Sequence, residues 1–309
     1  MPLSATIKGY RDAALSWWQE LQGFSRTLRP QQWVKNLFVL VPLLFAQHLF
    51  EPIAVARAVI AFFCFCLISS SVYVLNDLKD REHDRLHPQK RYRPLAAGEL
   101  SVGVACGGMV ALLLVALAGG LLLDPTLALI FVSYWLINLL YSIWLKHQVI
   151  LDVFAIASGF VLRVIGGAVV IEVEMSHWLL LCATLLALFL GFSKRRHEIG
   201  LLGELSVSHR QVLEQYSQSF LDMIIGIVTA ATVMSYALYT VSEETVRRFH
   251  TKGLLLTLPF VLYGIFRYLY LIYQKDQGGD PTQNLLTDRG MMINICLWVV
   301  VTGILLYWR

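Results

Sequence analysis

The densest chemistry in the sequence is a run of ionisable residues, Asn76-Asp77-Leu78-Lys79-Asp80-Arg81-Glu82-His83-Asp84, that follows directly on an apolar stretch. Its acids are spaced NDxxDxxxD. If a helix continues through them, Asp77, Asp80 and Asp84 fall at i, i+3 and i+7 and project their oxygens from one face. Like charges stacked in this way repel unless a cation neutralises them. Hard oxygen ligands suit Mg²⁺, which keeps several waters and binds through a few carboxylates plus substrate phosphates. The spacing points to a magnesium–diphosphate site with Asn76, Asp77, Asp80 and Asp84 as its protein ligands. A solvated loop in which Lys79, Arg81 and Arg85 pair with those acids would have the same spacing.

Basic residues continue the segment: Arg85, His87, Lys90, Arg91 and Arg93, punctuated by Pro88 and Pro94 and followed by Ala96-Ala97-Gly98. Beside an acidic metal cluster they suit the rest of a polyphosphate, Arg through bidentate geometry and Lys as a point charge. They also serve to hold a loop in the cytoplasm. A second charged group, Ser193-Lys194-Arg195-Arg196-His197-Glu198, closes a later apolar run. Smaller candidates are Trp33, Lys35 and Asn36, then Tyr141 and Lys146, then Asp152 and Arg163. Arg163 lies well inside an apolar run, before Gly166-Gly167, so it must face a partner or a wet cavity and not lipid. Asp152 is about three helical turns away, on the same face but too far for direct contact.

The elements that position these residues are membrane helices. The chain has 309 residues, 57% hydrophobic and 15% charged, with a mean hydropathy of +0.62, against about 25% charged in soluble domains. Apolar runs long enough to cross a hydrocarbon core recur at Ile53–Leu75, Val102–Leu123, Thr126–Leu145, Val149–Ile171, His177–Phe192, Phe220–Val241, Leu254–Tyr273 and Gly290–Trp308. Trp33–Phe50 is a more polar first span. The expectation is an all-α polytopic membrane protein with about nine spans. A closed barrel would alternate in short segments, and these runs are continuous.

Residues 1–30 read as a cytoplasmic arm without a signal-peptide core, and Asp12–Phe24, with Trp17 and Trp18, suits a helix in the membrane interface. Residues 31–309 form the transmembrane domain. On a nine-span topology roughly 18 Lys and Arg lie on the N-terminal side of the membrane and roughly five on the other, which puts the charged loops in the cytoplasm of an inner-membrane protein. Two charged motifs ending the second and sixth spans hint at a weak internal repeat whose ends face one cavity. The five cysteines sit in or beside apolar spans without zinc spacing and read as packing residues. The net charge of +4 follows from the loop bias and gives no footprint for nucleic acid.

With these residues in place the chain resembles the UbiA superfamily of membrane prenyltransferases, and within it the decaprenyl-phosphate phosphoribosyltransferase branch. The resemblance covers nearly the whole chain. It is carried by Arg29-Pro30-Gln31-Gln32-Trp33-Val34-Lys35-Asn36, the Asn76–Asp84 box with His87-Pro88, Lys90 and Arg93-Pro94, Ser158-Gly159-Phe160 with Arg163, and Lys194-Arg195. The tail Gly278-Gly279-Asp280-Pro281, with Leu285-Leu286 and Asp288, adds to it.

One departure from the superfamily pattern matters. Its ordinary members carry a second Asp-rich motif at the end of helix six, where this chain has the basic Lys194-Arg195-Arg196. The resemblance then implies a helical bundle around a central cavity and Mg²⁺-dependent transfer of a 5-phosphoribosyl group from 5-phosphoribosyl 1-diphosphate to a polyprenyl (decaprenyl) phosphate. Asp77, Asp80 and Asp84 would hold the metal against the diphosphate. Lys90, Arg93, Lys194 and Arg195 would clamp phosphates, and Lys35, Asn36, Tyr141 and Arg163 would line the cavity. The competing enzyme is a polyprenyl diphosphate-dependent prenyltransferase acting on an aromatic acceptor. A transporter would place its acids near the bilayer midplane, whereas these stand at a helix end.

Overall fold

The computed structural model describes residues 17–202, 211–275 and 281–308. The arm's Lys8, Arg11 and Asp12 and the tail residues Gly278-Gly279-Asp280 lie outside them. Within the described residues there is no strand, as a lipid solvent requires: with no water to satisfy backbone N–H and C=O groups, a spanning segment must bond to itself as a helix or close into a barrel.

The helices are α1 (17–27), α2 (Val41–Phe45), α3 (Pro52–Lys79), α4 (Arg81–Leu86), α5 (Pro94–Ala97), α6 (Val102–Leu123), α7 (Pro125–Ile143), α8 (Leu151–Val170), α9 (His177–Leu202), α10 (Gln218–Val241), α11 (Glu243–Phe249), α12 (Leu258–Lys275), α13 (Pro281–Thr287) and α14 (Arg289–Tyr307). Eight of the described helices, α3, α6, α7, α8, α9, α10, α12 and α14, are long and apolar enough to cross a membrane. The stretch expected as a further span, Trp33–Phe50, is built differently: a 3-10 helix, Pro30–Leu40, leads into the five-residue α2. Pro42 supplies no N–H to a longer α-helix, and Gln47 at φ 63° turns the chain into the left-handed region.

The chain forms two compact units. One takes the described residues of Met1–Trp33 together with Phe63–Leu139. Its aromatic centre sets Phe65 edge-on to Phe131 at 4.8 Å. Beneath the acidic box, Val74, Leu95, Leu100 and Ala105 form a buried cluster joined by Phe24 from α1. A Cβ at Gly108 would lie 2.3 Å from the Phe24 ring, so glycine there lets α1 lie against α6. Trp17, Trp18 and Leu21 remain exposed on α1.

The other unit takes Val34–Phe62 and Leu140–Arg309. Helices α8, α9, α10 and α12 share one core, in which Val153, Phe189, Leu221, Ile225 and Tyr268 are almost wholly enclosed. Gly167 on α8 admits the backbone of the 3-10 segment: a Cβ at that position would meet the Val39 carbonyl oxygen at 2.0 Å.

Candidate functional site

In the first unit α3 runs four residues beyond its apolar stretch, so Asn76 and Asp77 stand on its last turn. The helix yields at Asp80 (φ −89°, ψ 4°) and resumes as α4. Two bonds nonetheless carry the helical register across the break: Asp80 N–H donates to the Asn76 carbonyl at 2.9 Å and Asp84 N–H to the Asp80 carbonyl at 2.8 Å. Asp77 and Asp84 are consequently brought together, both buried. Their meeting point is Arg93, whose Nη1 donates to Asp77 Oδ1 at 3.1 Å and to Asp84 Oδ2 at 2.7 Å. Asp80, at the break, stays partly exposed.

Arg93 arrives through the turn of residues 87–93. His87 Nδ1 accepts from the N–H groups of Gln89 and Lys90 at 3.1 and 3.3 Å. Pro94 then opens α5, and Gly98 closes it at φ 77°, a conformation that only glycine adopts without strain. Arg29 donates to the same Asp77 Oδ1 at 2.5 Å. Its guanidinium lies 5.1 Å over the Tyr73 ring, and its backbone is left-handed at φ 52°. Trp33 Nε1 donates to Ser70 Oγ at 3.1 Å, and Ser70 Oγ donates to the Leu28 carbonyl at 2.9 Å, so both pin this entry turn to α3. Arg81 and Arg85 turn to Glu82. Hydrogen bonding from Arg81 holds that exposed carboxyl below the usual carboxylate range, helped by the charge of Arg85. The loop's solvated ion pairing thus centres on Glu82, and Asp77 and Asp84 face inward.

Two carboxylates converging on one guanidinium nitrogen mark a point where positive charge is stabilised. Among the described residues no three His, Cys, Asp or Glu side chains stand close enough to hold a metal by themselves. The structure brings Asp77 and Asp84 onto one guanidinium, with Asp80 partly exposed at the break between them. An all-oxygen pair still fits Mg²⁺, which is commonly held by one or two carboxylates while phosphates and water complete its shell.

In the second unit Arg195 is the largest fully buried side chain. Its Nε donates to Asp152 Oδ2 at 2.6 Å, Nη1 to Glu198 Oε2 at 2.6 Å and Nη2 to the Tyr141 hydroxyl at 3.2 Å. Arg195 was expected as a phosphate clamp; at 1% exposure it is instead the cation of an internal network. A buried charge is tolerated only when paired and hydrogen-bonded, and this one is both. Its neighbour Lys194 is 38% exposed, with its Nζ 4.0 Å from Glu198. Arg196 turns to Asp222 at 3.1 Å and lies over the Tyr273 ring.

Arg163, also buried, donates through Nε to Asn36 Oδ1 at 2.7 Å and through Nη1 to the Gly159 carbonyl at 2.7 Å. The partner it requires at membrane depth is thus Asn36, delivered by the close passage of the 3-10 segment at Gly167. Asp152, which sequence placed on the same helix face as Arg163, pairs with Arg195. Lys35, Lys90 and Tyr141 are half-buried.

Two residues of these clusters had no role in the sequence reading. Arg29 stood only as part of the Arg29–Asn36 stretch. Tyr216, which donates to Asp152 Oδ1 at 2.8 Å, lies 64 positions from its partner, beyond the reach of any local pattern.

A model of the UbiA prenyltransferase family matches residues 36–197, from Asn36 through the box to His197 in the α9 cluster. The chain belongs to the UbiA prenyltransferase family. Among members of that family it is similar to a decaprenyl-phosphate phosphoribosyltransferase of Mycolicibacterium smegmatis, 33% identical over 93% of each chain. A protein of the same name from Corynebacterium glutamicum is 35% identical over 90% of this chain and 84% of its own. The fold is that of a UbiA homologue from Archaeoglobus fulgidus bound to GPP and Mg²⁺, with a TM-score of 0.71 at 19% identity over 92% of this chain and 99% of that one.

Proposed function

We propose that the protein transfers a 5-phosphoribosyl group from 5-phosphoribosyl 1-diphosphate to a polyprenyl phosphate, decaprenyl phosphate in the first instance, and releases diphosphate. The observation that carries this reading is the nearly full-length similarity to two proteins named for that lipid and that group. It is supported by the basic Lys194-Arg195-Arg196 at the end of α9, where a prenyl diphosphate enzyme would need further acids.

The reaction forms a bond between ribose C1 and a phosphate oxygen of the lipid and breaks the bond between C1 and the diphosphate oxygen. The diphosphate leaves with the electron pair. The lipid phosphate attacks as an anion, so no general base is required. Asp77 and Asp84, with Asn76 and Asp80 beside them, would hold Mg²⁺, which would supply the positive charge that offsets the leaving diphosphate.

Arg93 and Arg29 are about 28% and 29% exposed on their side chains, so each can hold its carboxylate and still turn N–H donors to a phosphate. In the first unit Lys90, and in the second Lys35 and Lys194, are each assigned to a substrate phosphate. Asn36, Arg163 and Tyr141 order the polar lining, and Arg195 acts by fixing its neighbours. The polyprenyl tail lies among apolar helix surfaces, which gives a membrane-embedded enzyme its reason for acting on a soluble donor. The Lys/Arg bias of the loops supports an active site on the cytoplasmic side of the inner membrane.

The test is incubation of detergent-purified protein with labelled 5-phosphoribosyl diphosphate, Mg²⁺ and a polyprenyl phosphate. Label should enter the organic extract, and EDTA should stop it. Undiminished turnover by Asp80→Ala would remove Asp80 from the metal set.

A further inference from the structure

The residue that binds the second unit's charged network together is Tyr216, which follows the short 3-10 turn Gln211–Gln215 and precedes α10. It is buried, and its hydroxyl is used twice. It donates to Asp152 Oδ1 at 2.8 Å and accepts from the Ile150 N–H at 2.6 Å. Burial, with the Asp152 carboxylate beside it, pushes the phenol well above its usual range, so it remains an O–H donor wherever the protein is folded.

Both partners of that hydroxyl need it. Ile150 sits at φ 70°, ψ −49°, and Leu151 N–H donates to the Val149 carbonyl at 2.8 Å. This is the geometry of a tight γ-turn with positive φ, which is rare and strained, the more so for a β-branched residue. Such strain persists only where the surroundings over-determine it. Here the determining contact is the Tyr216 hydroxyl on the Ile150 N–H, two residues before Asp152. Asp152 has no exposure and presents its second oxygen, Oδ2, to Arg195. Arg195 fixes the last turns of α9 and also holds Glu198, one helical turn on. Successive residues on a helix are about 100° apart, so the rotation that seats Arg195 also sets the direction of the partly exposed Lys194.

We propose that Tyr216 is a positioning residue: through Asp152 and Arg195 it sets the orientation in which Lys194 meets a substrate phosphate. The inference rests on the proposed phosphoribosyl transfer for the identity of the phosphate, and on the network's geometry for the role of Tyr216. The hydroxyl touches no reacting atom. It converts the strained turn at Ile150, the start of α8 and the end of α9 into one rigid set. The sequence places this tyrosine directly before α10, and thereby couples that helix's entry to the basic turn.

The experiment measures Kd for two probes, 5-phosphoribosyl 1-diphosphate and decaprenyl phosphate, on the purified full chain as wild type, Tyr216→Phe, Lys194→Ala and the double variant, with Tm recorded for each. Tyr216→Phe should weaken one of the two probes about fivefold, the scale of one lost hydrogen bond, and should have no further effect in the Lys194→Ala background. Equal binding by wild type and Tyr216→Phe, or the same loss in both backgrounds, would overturn the positioning role.

A second variant separates positioning from stability. Ile150→Gly relieves the left-handed strain at an exposed position and should restore Tm to Tyr216→Phe without restoring its Kd. Recovery of Kd together with Tm would reduce Tyr216 to a structural residue and overturn the proposal. Wild-type protein that binds neither probe would overturn the phosphoribosyl reading along with it, an outcome distinct from binding that Tyr216→Phe leaves unchanged.

Discussion

Arg93 stands between Asp77 and Asp84: one guanidinium nitrogen, Nη1, lies 3.1 Å from Oδ1 of the first and 2.7 Å from Oδ2 of the second. Seven positions separate the two carboxylates along the chain, and one cation reconciles their charges. A substrate-bound divalent ion would answer the same need.

That relationship predicts a metal effect independent of turnover. Arg93→Ala leaves two inward-facing carboxylates with Arg29 alone and should lower stability by about 2–3 kcal/mol. Millimolar Mg²⁺ should then raise Tm more in the variant than in the wild type, because the ion occupies the vacated charge position. A Tm that is equally indifferent to Mg²⁺ in both proteins would show that the pair does not attract a divalent cation.

Arg195 and Lys194, adjacent in sequence, should separate by phenotype. Arg195→Ala removes the partner of fully buried Asp152 and should cost about 3–5 kcal/mol, read as a fall in Tm. Lys194→Ala should leave stability within about 0.5 kcal/mol of wild type while raising KM for a phosphate substrate. A destabilised Lys194→Ala with unchanged KM would reverse the two roles.

Gly167→Ala sets a methyl group against the Val39 carbonyl oxygen, at 2.0 Å before any relaxation. The 3-10 segment must shift and with it Asn36, loosening the 2.7 Å bond that Arg163 donates. Overpacking of this kind costs about 1–3 kcal/mol, and thermal unfolding in detergent measures it. A variant as stable as wild type would mean that the segment is not seated on α8 in this way.

Asp288 caps α14 by accepting from Met291 N–H at 2.8 Å and pairs with Arg267 at 2.8 Å. The hydrogen bond from Arg267 holds its carboxyl below the usual range. A carboxyl depressed on folding contributes stability that is complete above its unfolded value, about 3.9, and is lost as pH falls through the lower folded value. Asp288→Asn keeps a good capping side chain but loses the charge. The wild type should therefore exceed the variant by up to about 1 kcal/mol near neutrality, and the gap should close only in the acid range below pH 4. A gap that persists unchanged to pH 2 would exclude the ion pair as its source.

Much of this architecture is legible in sequence because lipid makes backbone hydrogen bonding obligatory and apolar length decisive. That logic yields the eight long helices α3, α6, α7, α8, α9, α10, α12 and α14, and it mistakes Trp33–Phe50, where hydropathy alone does not register the effect of Pro42 and the turn at Gln47. Helical spacing likewise foretells that Asp77 and Asp84 share a face, since the register survives the break at Asp80. It does not foretell that Arg93 becomes their bridge, because that depends on the turn between His87 and Arg93. Arg163 announces its need for a partner by standing in an apolar run, but Asn36 answers from 127 positions away. Arg195 and Lys194 read alike as cations, and only burial separates a structural charge from an accessible one.

The central claim is the choice of substrates, and the most direct measurement offers purified protein both pairs with Mg²⁺: 5-phosphoribosyl diphosphate with decaprenyl phosphate, and a polyprenyl diphosphate with an aromatic acid. Mass spectrometry of the lipid extract should detect the phosphoribosyl phosphodiester of the polyprenol and no prenylated aromatic. A prenylated aromatic product without the phosphodiester would contradict the account and assign the basic turn of α9 to a different purpose.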